Sequence, residues 1–469
     1  MSLPVFAVVG HPNKGKSSIV ATLAEDESVA ISPVPGTTTD ARRYTLSVDG
    51  EPHYVLVDTP GFQRPGELLK WLRSKTDKAS ERADAVAGFV AAHRDDPRFH
   101  DECELLTPVL EGAGILYVVD GAKPYGPEYE LEMEILRWTG RPRMALINKI
   151  GDGDFEAAWR QALDQYFSIV RVFDALHADF EKRIALLRAF AELDEAWRPR
   201  LERAISALES ERAHRRLRSA REISACLKET IAFEEHASAG ADVTSAALDA
   251  LKARLQEKLR QRIRRRETQM FDRVQQIYRH ETLSREETGH LIQDVDVFAR
   301  ENWEVFGLSR SQLAMTGAIS GAAAGGGFDL AVGGTSLLLG TGIGALIGGA
   351  GAWFGSSELA RVKTIAGSLG DKVVQLGPIT SPNFPWVLLG RAWFHHSLVA
   401  ERNHAYRDSL KLAIENEQNL MNSLPDSLRR ELGRDFQRLT RGELSDDAFA
   451  EFAGRIEKVL ASQPVETLV

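Results

Sequence analysis

The run Gly10-His11-Pro12-Asn13-Lys14-Gly15-Lys16-Ser17 sets two glycines, a cation and a hydroxyl at the spacing G-x-x-x-x-G-K-[ST]. That combination does polyphosphate chemistry. Glycines let backbone N–H groups, here those of Asn13, Lys14, Gly15, Lys16, Ser17 and Ser18, close around phosphate oxygens at a helix N-terminus. Lys16 reaches for the β- and γ-phosphates and stabilises charge on a phosphoryl group in transfer, while the Ser17 hydroxyl suits Mg²⁺. Further along, Asp58-Thr59-Pro60-Gly61 supplies a carboxylate able to hold Mg²⁺ through a water, and the Gly61 N–H can sense a γ-phosphate. Between the two lies Pro35-Gly36-Thr37-Thr38-Thr39-Asp40, a hydroxyl-rich loop in which one threonine can complete the metal shell. Asn148-Lys149 offers an amide and a cation suited to a nucleotide base.

These residues need strand ends to stand on, and the sequence provides them. Val5-Phe6-Ala7-Val8-Val9 precedes the glycine loop, and Ser18-Ile19-Val20-Ala21-Thr22-Leu23-Ala24 continues it as a helix. Strand, loop and helix in that order are the context the motif requires. Val55-Leu56-Val57 leads into Asp58, and Met144-Ala145-Leu146-Ile147 leads into Asn148. Four short motifs in this order, each at a strand end, predict an α/β P-loop domain.

On GHPNKGKS, PGTT, DTPG and NK, residues 1–180 resemble the translation-factor-class P-loop GTPases, closest to the Era, EngA and MnmE group. The resemblance implies GTP and GDP as ligands, Mg²⁺ as cofactor, and hydrolysis with Lys16, Thr38 and Gly61 at the reacting phosphate. It makes Thr38 the switch I residue that meets Mg²⁺ beside Ser17 and Asp58. It makes Asn13 the P-loop asparagine that in several relatives helps hold a K⁺ near the phosphates. Thr59, Pro60, Asn148 and Lys149 are carried over as nucleotide-binding residues. Phe62 stands where Ras-like proteins carry a catalytic glutamine, with Gln63 one residue later. An apolar side chain cannot orient water by hydrogen bonding. Relatives with this substitution rely on K⁺, dimerisation or a partner, so unassisted turnover is expected to be slow.

The chain departs from that pattern in three places. The base-reading motif N-K-x-D is here Asn148-Lys149-Ile150-Gly151, with Asp152 one position late. Either a bulge brings Asp152 into place or base selectivity is relaxed; GTP is the expected ligand. Phe173-Asp174-Ala175 sits where relatives carry a Ser-Ala base loop, with Asp174 in place of serine. Finally, about fifty residues separate Gly61 from the strand Ile115-Leu116-Tyr117-Val118-Val119-Asp120. Residues 67–93 of that stretch read as helical, either a longer switch II helix or a nucleotide-dependent docking arm.

The rest of the chain sets its class. With 469 residues, 43% hydrophobic and 27% charged, it suits roughly three folded units at about 150 residues each and not global disorder. A net charge of −9 argues against a general polyanion binder, though not against local basic patches. Cys103 and Cys226 are too few for a disulfide framework or a four-thiolate zinc site, so reduced cytosolic thiols are expected. The start lacks a basic n-region, and no secretory signal is expected.

Residues 179–279 read as long helices. Leu248, Leu251, Leu255, Leu259 and Ile263, continued by Met270, Val274 and Ile277, recur at helical spacing and predict a bundle or coiled coil. Lys258, Arg260, Arg262, Arg264, Arg265 and Arg266 lie on the same helix. They read as a solvated face, a contact for anionic lipid, or one for RNA. From 313 to 357 the only charge is Asp329, and Gly317, Gly321 and Gly325 are answered by Gly340, Gly344 and Gly348. Such ridges suggest two close-packed helices in a hairpin. Residues 330–354 as a helix reach about 37 Å, enough for a ~30 Å hydrocarbon core, so membrane association and burial in a soluble bundle both stand. Ser381-Pro382-Asn383-Phe384-Pro385-Trp386 reads as a loop, with helix again from about Leu398, and Trp386, Trp393 and Phe394 at an interface or in a core. His395 and His396 are adjacent and read as ordinary polar or packing residues.

The expected architecture is an α/β P-loop G domain (1–178) followed by a long all-α extension: a helical region (179–312), a glycine-rich hairpin (313–357) and a C-terminal helical region (358–469). This layout is similar to bacterial GTP-binding proteins with an uncharacterised C-terminal domain. The expected function is a slow, Mg²⁺-dependent, K⁺-stimulated GTPase switch, cytoplasmic, with peripheral or hairpin-inserted contact to the inner membrane and homodimerisation open. A ribosome- or RNA-associated assembly GTPase and a nucleotide-binding interaction protein with negligible turnover are the alternatives.

Overall fold

The computed structural model describes residues 3–25, 38–151, 153–278, 297–298, 306–308, 359–366, 372–401 and 420–462. Pro35, Gly36, Thr37, Asp152 and the whole of 313–357 lie outside the described residues. The chain forms two compact units, residues 1–212 with 401–407, and residues 213–400 with 408–469.

The first unit is built on a six-stranded sheet. In chain order its strands are β1 (Val5–Val9), β2 (Arg42–Val48), β3 (Glu51–Asp58), β4 (Gly114–Asp120), β5 (Arg143–Asn148) and β6 (Ile169–Val172), arranged β2-β3-β1-β4-β5-β6. Only β2 runs antiparallel, against β3. Every residue of β4 and all of β1 after Val5 is buried, as expected of parallel strands covered on both faces. The register sets Val8 beside Asp58 and Asp120 beside Asn148. The carboxyl ends of β1, β3, β4 and β5 therefore line one edge, where the strand order reverses and open α/β sheets bind ligands.

Helix α1 (Lys16–Ala24) follows the glycine loop. One face of the sheet shares a core with α1, with α7 (Phe180–Ala191) and with the start of α8 (Arg198–Ile231), through Phe6, Leu56, Ile184, Phe190 and Leu201. The other core includes α2 (Pro65–Lys75), α3 (Arg82–His93), α4 (His100–Leu110), α5 (Glu128–Trp138) and α6 (Glu156–Leu163). The long stretch after Gly61 is thus helical, as its composition suggests, and Leu68, Leu72, Val86 and Phe89 bury themselves in that core. The first unit runs past the expected boundary at 178, because α7 and the opening of α8 supply one wall of the sheet's core; the division falls within α8.

In the second unit, Leu255, Leu259, Ile263, Met270 and Val274 of α9 (Ser245–Ile277) are buried, bearing out the helical stripe. The end of α8 shares its main core through Ile223, Leu227 and Ile231. The extension is not helical throughout. β7 (Glu235–Ser238), β8 (Ala360–Ala366) and β9 (Lys372–Ile379) form an antiparallel sheet in the order β7-β9-β8. β7 has only four residues, and in β9 the alternation of buried Val374 and Leu376 with half-buried neighbours is broken by buried Gly377, so the strand period is easily lost beside long helical ones. Helix α10 (Phe384–Glu401) begins well before Leu398. Pro385 occupies its first turn, where a missing N–H costs nothing. Trp386 and Trp393 are core residues, and α11 (Asp426–Arg441) and α12 (Asp446–Ala461) pack in the same cluster.

Two polar features cross this core. Arg391 grips Glu267 with Nε 2.6 Å from Oε1 and Nη2 3.1 Å from Oε2, both residues buried. His395 is buried against the Phe271 ring, and burial lowers its pKa to about 3. Part of the basic run on α9 is also internal: Arg266 is buried and pairs with Glu222 and Glu229, while Lys258 pairs with Glu235. Among the described residues no helix is long and apolar enough to cross a membrane.

Candidate nucleotide site

The glycine loop takes its shape from backbone conformations that side chains resist. Gly15 has φ +78°, and a Cβ there would stand 2.2 Å from Asn148 Nδ2. Asn13 is exposed and also left-handed, at φ 60°, a region asparagine tolerates better than most residues. Lys16 opens α1 and is almost wholly buried; its Nζ donates to the carbonyls of Gly10 (3.3 Å) and His11 (3.1 Å). Burial lowers its pKa to about 8, with Asp58 and Glu132 pulling the other way. Lys14 is buried too, its ammonium 5.4 Å from the centroid of the Tyr129 ring.

Three residues from three separate elements meet beside Lys16. Ser17 Oγ donates to Asp58 Oδ2 at 2.8 Å, Thr38 Oγ1 donates to the same oxygen at 3.2 Å, and the two hydroxyls lie 3.5 Å apart. Asp58 is buried, which pushes its carboxyl pKa up. Its other oxygen, Oδ1, is buried with no hydrogen-bond partner among the described residues. A carboxylate held this way with a lone pair unspent, beside two hydroxyls, is a hard-oxygen donor set suited to Mg²⁺.

Past Asp58 the chain is pinned to the loop. Thr59 Oγ1 donates to Val8 O at 2.8 Å and is buried, so that hydroxyl ties strands together and does not face a ligand. A Cβ on Gly61 would stand 2.5 Å from the Pro12 nitrogen. Only glycine lets these backbones touch. Phe62 is buried in the apolar core while Gln63 is exposed.

At the base end Asn148 acts as a buckle. Its Nδ2 donates to Lys14 O at 3.1 Å, and its Oδ1 accepts from Ala175 N at 3.1 Å. Asp174 spends its carboxylate locally, on the N–H groups of Leu176 and His177. Lys149 Nζ lies 3.5 Å from Glu156 Oε2. Sequence reasoning overlooked Glu132, a buried acid on α5 whose Oε1 is 2.8 Å from His11 Nδ1 and whose Oε2 accepts from Tyr117 OH at 2.9 Å. It also overlooked the first turn of α4, which touches the loops on both sides of Asp58. No local motif marks either.

A family model described as 50S ribosome-binding GTPase matches residues 5–149, and one described as domain of unknown function DUF3482 matches residues 160–456. GTPase Der from Burkholderia ambifaria and from Burkholderia cenocepacia are each 28% identical over 178 residues, 38% of this chain and 33% of theirs. The chain thus spans about a third of the length of these relatives. Among solved structures, an Era variant from Aquifex aeolicus bound to GDP and AlF4− is 20% identical, covers 41% of this chain and 57% of its own, and has a TM-score of 0.30. Era in complex with MgGDPNP and a segment of 16S ribosomal RNA gives the same values. The N-terminal region is a P-loop GTPase domain similar to Der- and Era-type GTPases.

Proposed function

We propose that this chain, which belongs to the DUF3482 family and carries a P-loop GTPase domain ahead of most of that region, is a Mg²⁺-dependent GTPase working as a nucleotide-controlled switch. The observation that carries the reading is the convergence of Ser17 and Thr38 on Asp58 Oδ2, with Oδ1 left over. Mg²⁺, when bound there, neutralises charge on the β- and γ-phosphate oxygens. Ser17 and Thr38 would hold it directly and Asp58 through water. Lys16 would exchange its two carbonyl partners for phosphate oxygens, and Gly61 would present its N–H to the γ-phosphate. With Phe62 buried, no glutamine side chain follows Gly61 directly to orient water, so turnover without help is slow. Phosphate release from GTP should require Mg²⁺ and stop in excess chelator; release indifferent to the chelator would refute the metal assignment.

The exposed Asn13 motivates an ion test. Hydrolysis should run faster in K⁺ than in Na⁺ at equal ionic strength, and Asn13→Ala should erase that difference more than it weakens GTP binding. The ion's charge matters most as charge develops in the transition state. Equal rates in both salts for the wild type would remove K⁺ from the mechanism.

Base selectivity is tested separately. GTP should outcompete ATP despite Gly151, with Asp152 supplying the carboxylate and Asn148 the buckle. Equal competition would mean that Asp152 does not replace the missing acid.

A second reading concerns the partner. The description of the family matched by residues 5–149 favours the ribosome, and co-sedimentation of the full chain with large subunits, strengthened by a non-hydrolysable GTP analogue, tests it. The membrane reading of 313–357 rests on its glycine ridges and length; sedimentation with liposomes in neither nucleotide state would end it.

A further inference from the structure

Helix α4 touches the chain on both sides of Asp58, just after Thr38 and just after Gly61. Glu102 is completely buried. Its Oε1 accepts the N–H groups of Gln63 (2.9 Å) and Arg64 (2.6 Å), the residues that follow Gly61 and Phe62. Its Oε2 is buried with no hydrogen-bond partner among the described residues. Two residues on, Glu104 Oε2 accepts the N–H of Ala41 at 2.9 Å, in the segment that leads away from Thr38. His100 Nε2 lies 3.2 Å from Thr39 O and 3.5 Å from Asp40 Oδ1.

A carboxylate taken out of water is costly unless hydrogen bonds compensate it, and those to an ionised acceptor are stronger than neutral ones. Glu102 receives both from backbone that has to lie close to the P-loop. Phe62, between Gly61 and Gln63, is buried in the same apolar cluster as Leu105 and Leu106 of α4. Gly61 in turn leaves no room for a Cβ against Pro12. A displacement of Gln63 and Arg64 therefore reaches Gly61 within two residues.

We propose that Glu102 is a positioning residue for hydrolysis, acting through the amides of Gln63 and Arg64 to hold Gly61 at the γ-phosphate. Glu104 fastens the Thr38 loop to the same helix, so that α4 straps the two loops in register. The proposal rests on the GTPase reading above and deepens it. The two amides stand at the entrance to α2, where a carboxylate also serves a purely stabilising, capping role. The two roles differ in what they do to kcat at unchanged ground-state binding.

The test uses the full chain, with steady-state hydrolysis at saturating GTP and Mg²⁺ and with fluorescent-GDP affinity. Glu102→Ala should lower kcat about 10- to 100-fold while GDP affinity stays within about threefold, as a misplaced contact made in the transition state requires. Glu102→Gln keeps an acceptor oxygen for both amides and should recover most of the rate. Glu104→Ala, at a half-buried position, should lower kcat several-fold and guards against a Glu102→Ala protein that fails to fold. The strap is overturned if Glu104→Ala and Glu102→Ala both keep the wild-type rate, if GDP affinity falls as far as kcat, or if Glu102→Gln is no better than alanine. A wild type that does not bind GTP defeats the GTPase reading instead. In that event amide exchange decides the strap on its own: Gln63 and Arg64 should lose protection in Glu102→Ala and keep it in Glu102→Gln, and equal protection in Glu102→Ala and wild type would overturn it.

Discussion

Lys16→Ala is expected to weaken GTP binding by at least about 30-fold and by as much as several thousandfold. The wild-type ammonium is buried and held by the carbonyls of Gly10 and His11, so it is aimed before the ligand arrives. Truncating one partner of a buried, hydrogen-bonded charge pair costs about 2–5 kcal/mol, roughly 30- to 5,000-fold in Kd. Titration calorimetry with Mg²⁺ present reads this directly, and unchanged affinity would sink the P-loop assignment. The same group predicts a pH dependence. Burial lowers the Lys16 pKa to about 8 in the free protein, and triphosphate binds the charged form. GTP affinity should therefore be level below that pH and fall as pH rises through it, with proton uptake on binding in the alkaline range. Binding that takes up no proton near pH 9 would show that Lys16 stays charged throughout.

Arg391→Met should be the most damaging single change in the second unit. It leaves Glu267 buried and stripped of a two-point ion pair whose closer contact is 2.6 Å. Breaking a buried pair by removing one partner costs about 3–5 kcal/mol, whereas replacing both partners with apolar groups of similar size is often neutral. Denaturant unfolding followed by circular dichroism should show the loss for Arg391→Met and substantial recovery in Arg391→Met/Glu267→Met. A single variant as stable as wild type would mean that water reaches Glu267 and the pair is not truly desolvated.

The sequence by itself determined the parts of this protein that are written in neighbouring residues. The glycine loop is one, because Gly15 and Lys16 act through backbone conformation and position within a few residues of each other. The parallel strands are another: Val5–Val9 and Gly114–Asp120 are apolar along their length because both faces are covered. The stripe on α9 is a third, since a helix brings every third or fourth residue to one side. Ser17, Thr38 and Asp58, which the fold brings within hydrogen-bond reach of one another, each stand in a short motif for the same reason.

Tertiary structure alone decided the contacts made between distant parts of the chain. β7 pairs with β9 across more than a hundred residues, Glu235 opposite Leu376, and short strands with weak alternation carry no local sign of that pairing. Thr59 sits inside a nucleotide motif, yet its hydroxyl belongs to Val8 because β1 and β3 lie side by side. Glu102, Glu132 and Glu267 look like ordinary helical acids until packing buries them and aims them at Gln63, His11 and Arg391. Periodicity reports which side of an element is apolar. What a buried polar group faces depends on which other element comes to rest against it.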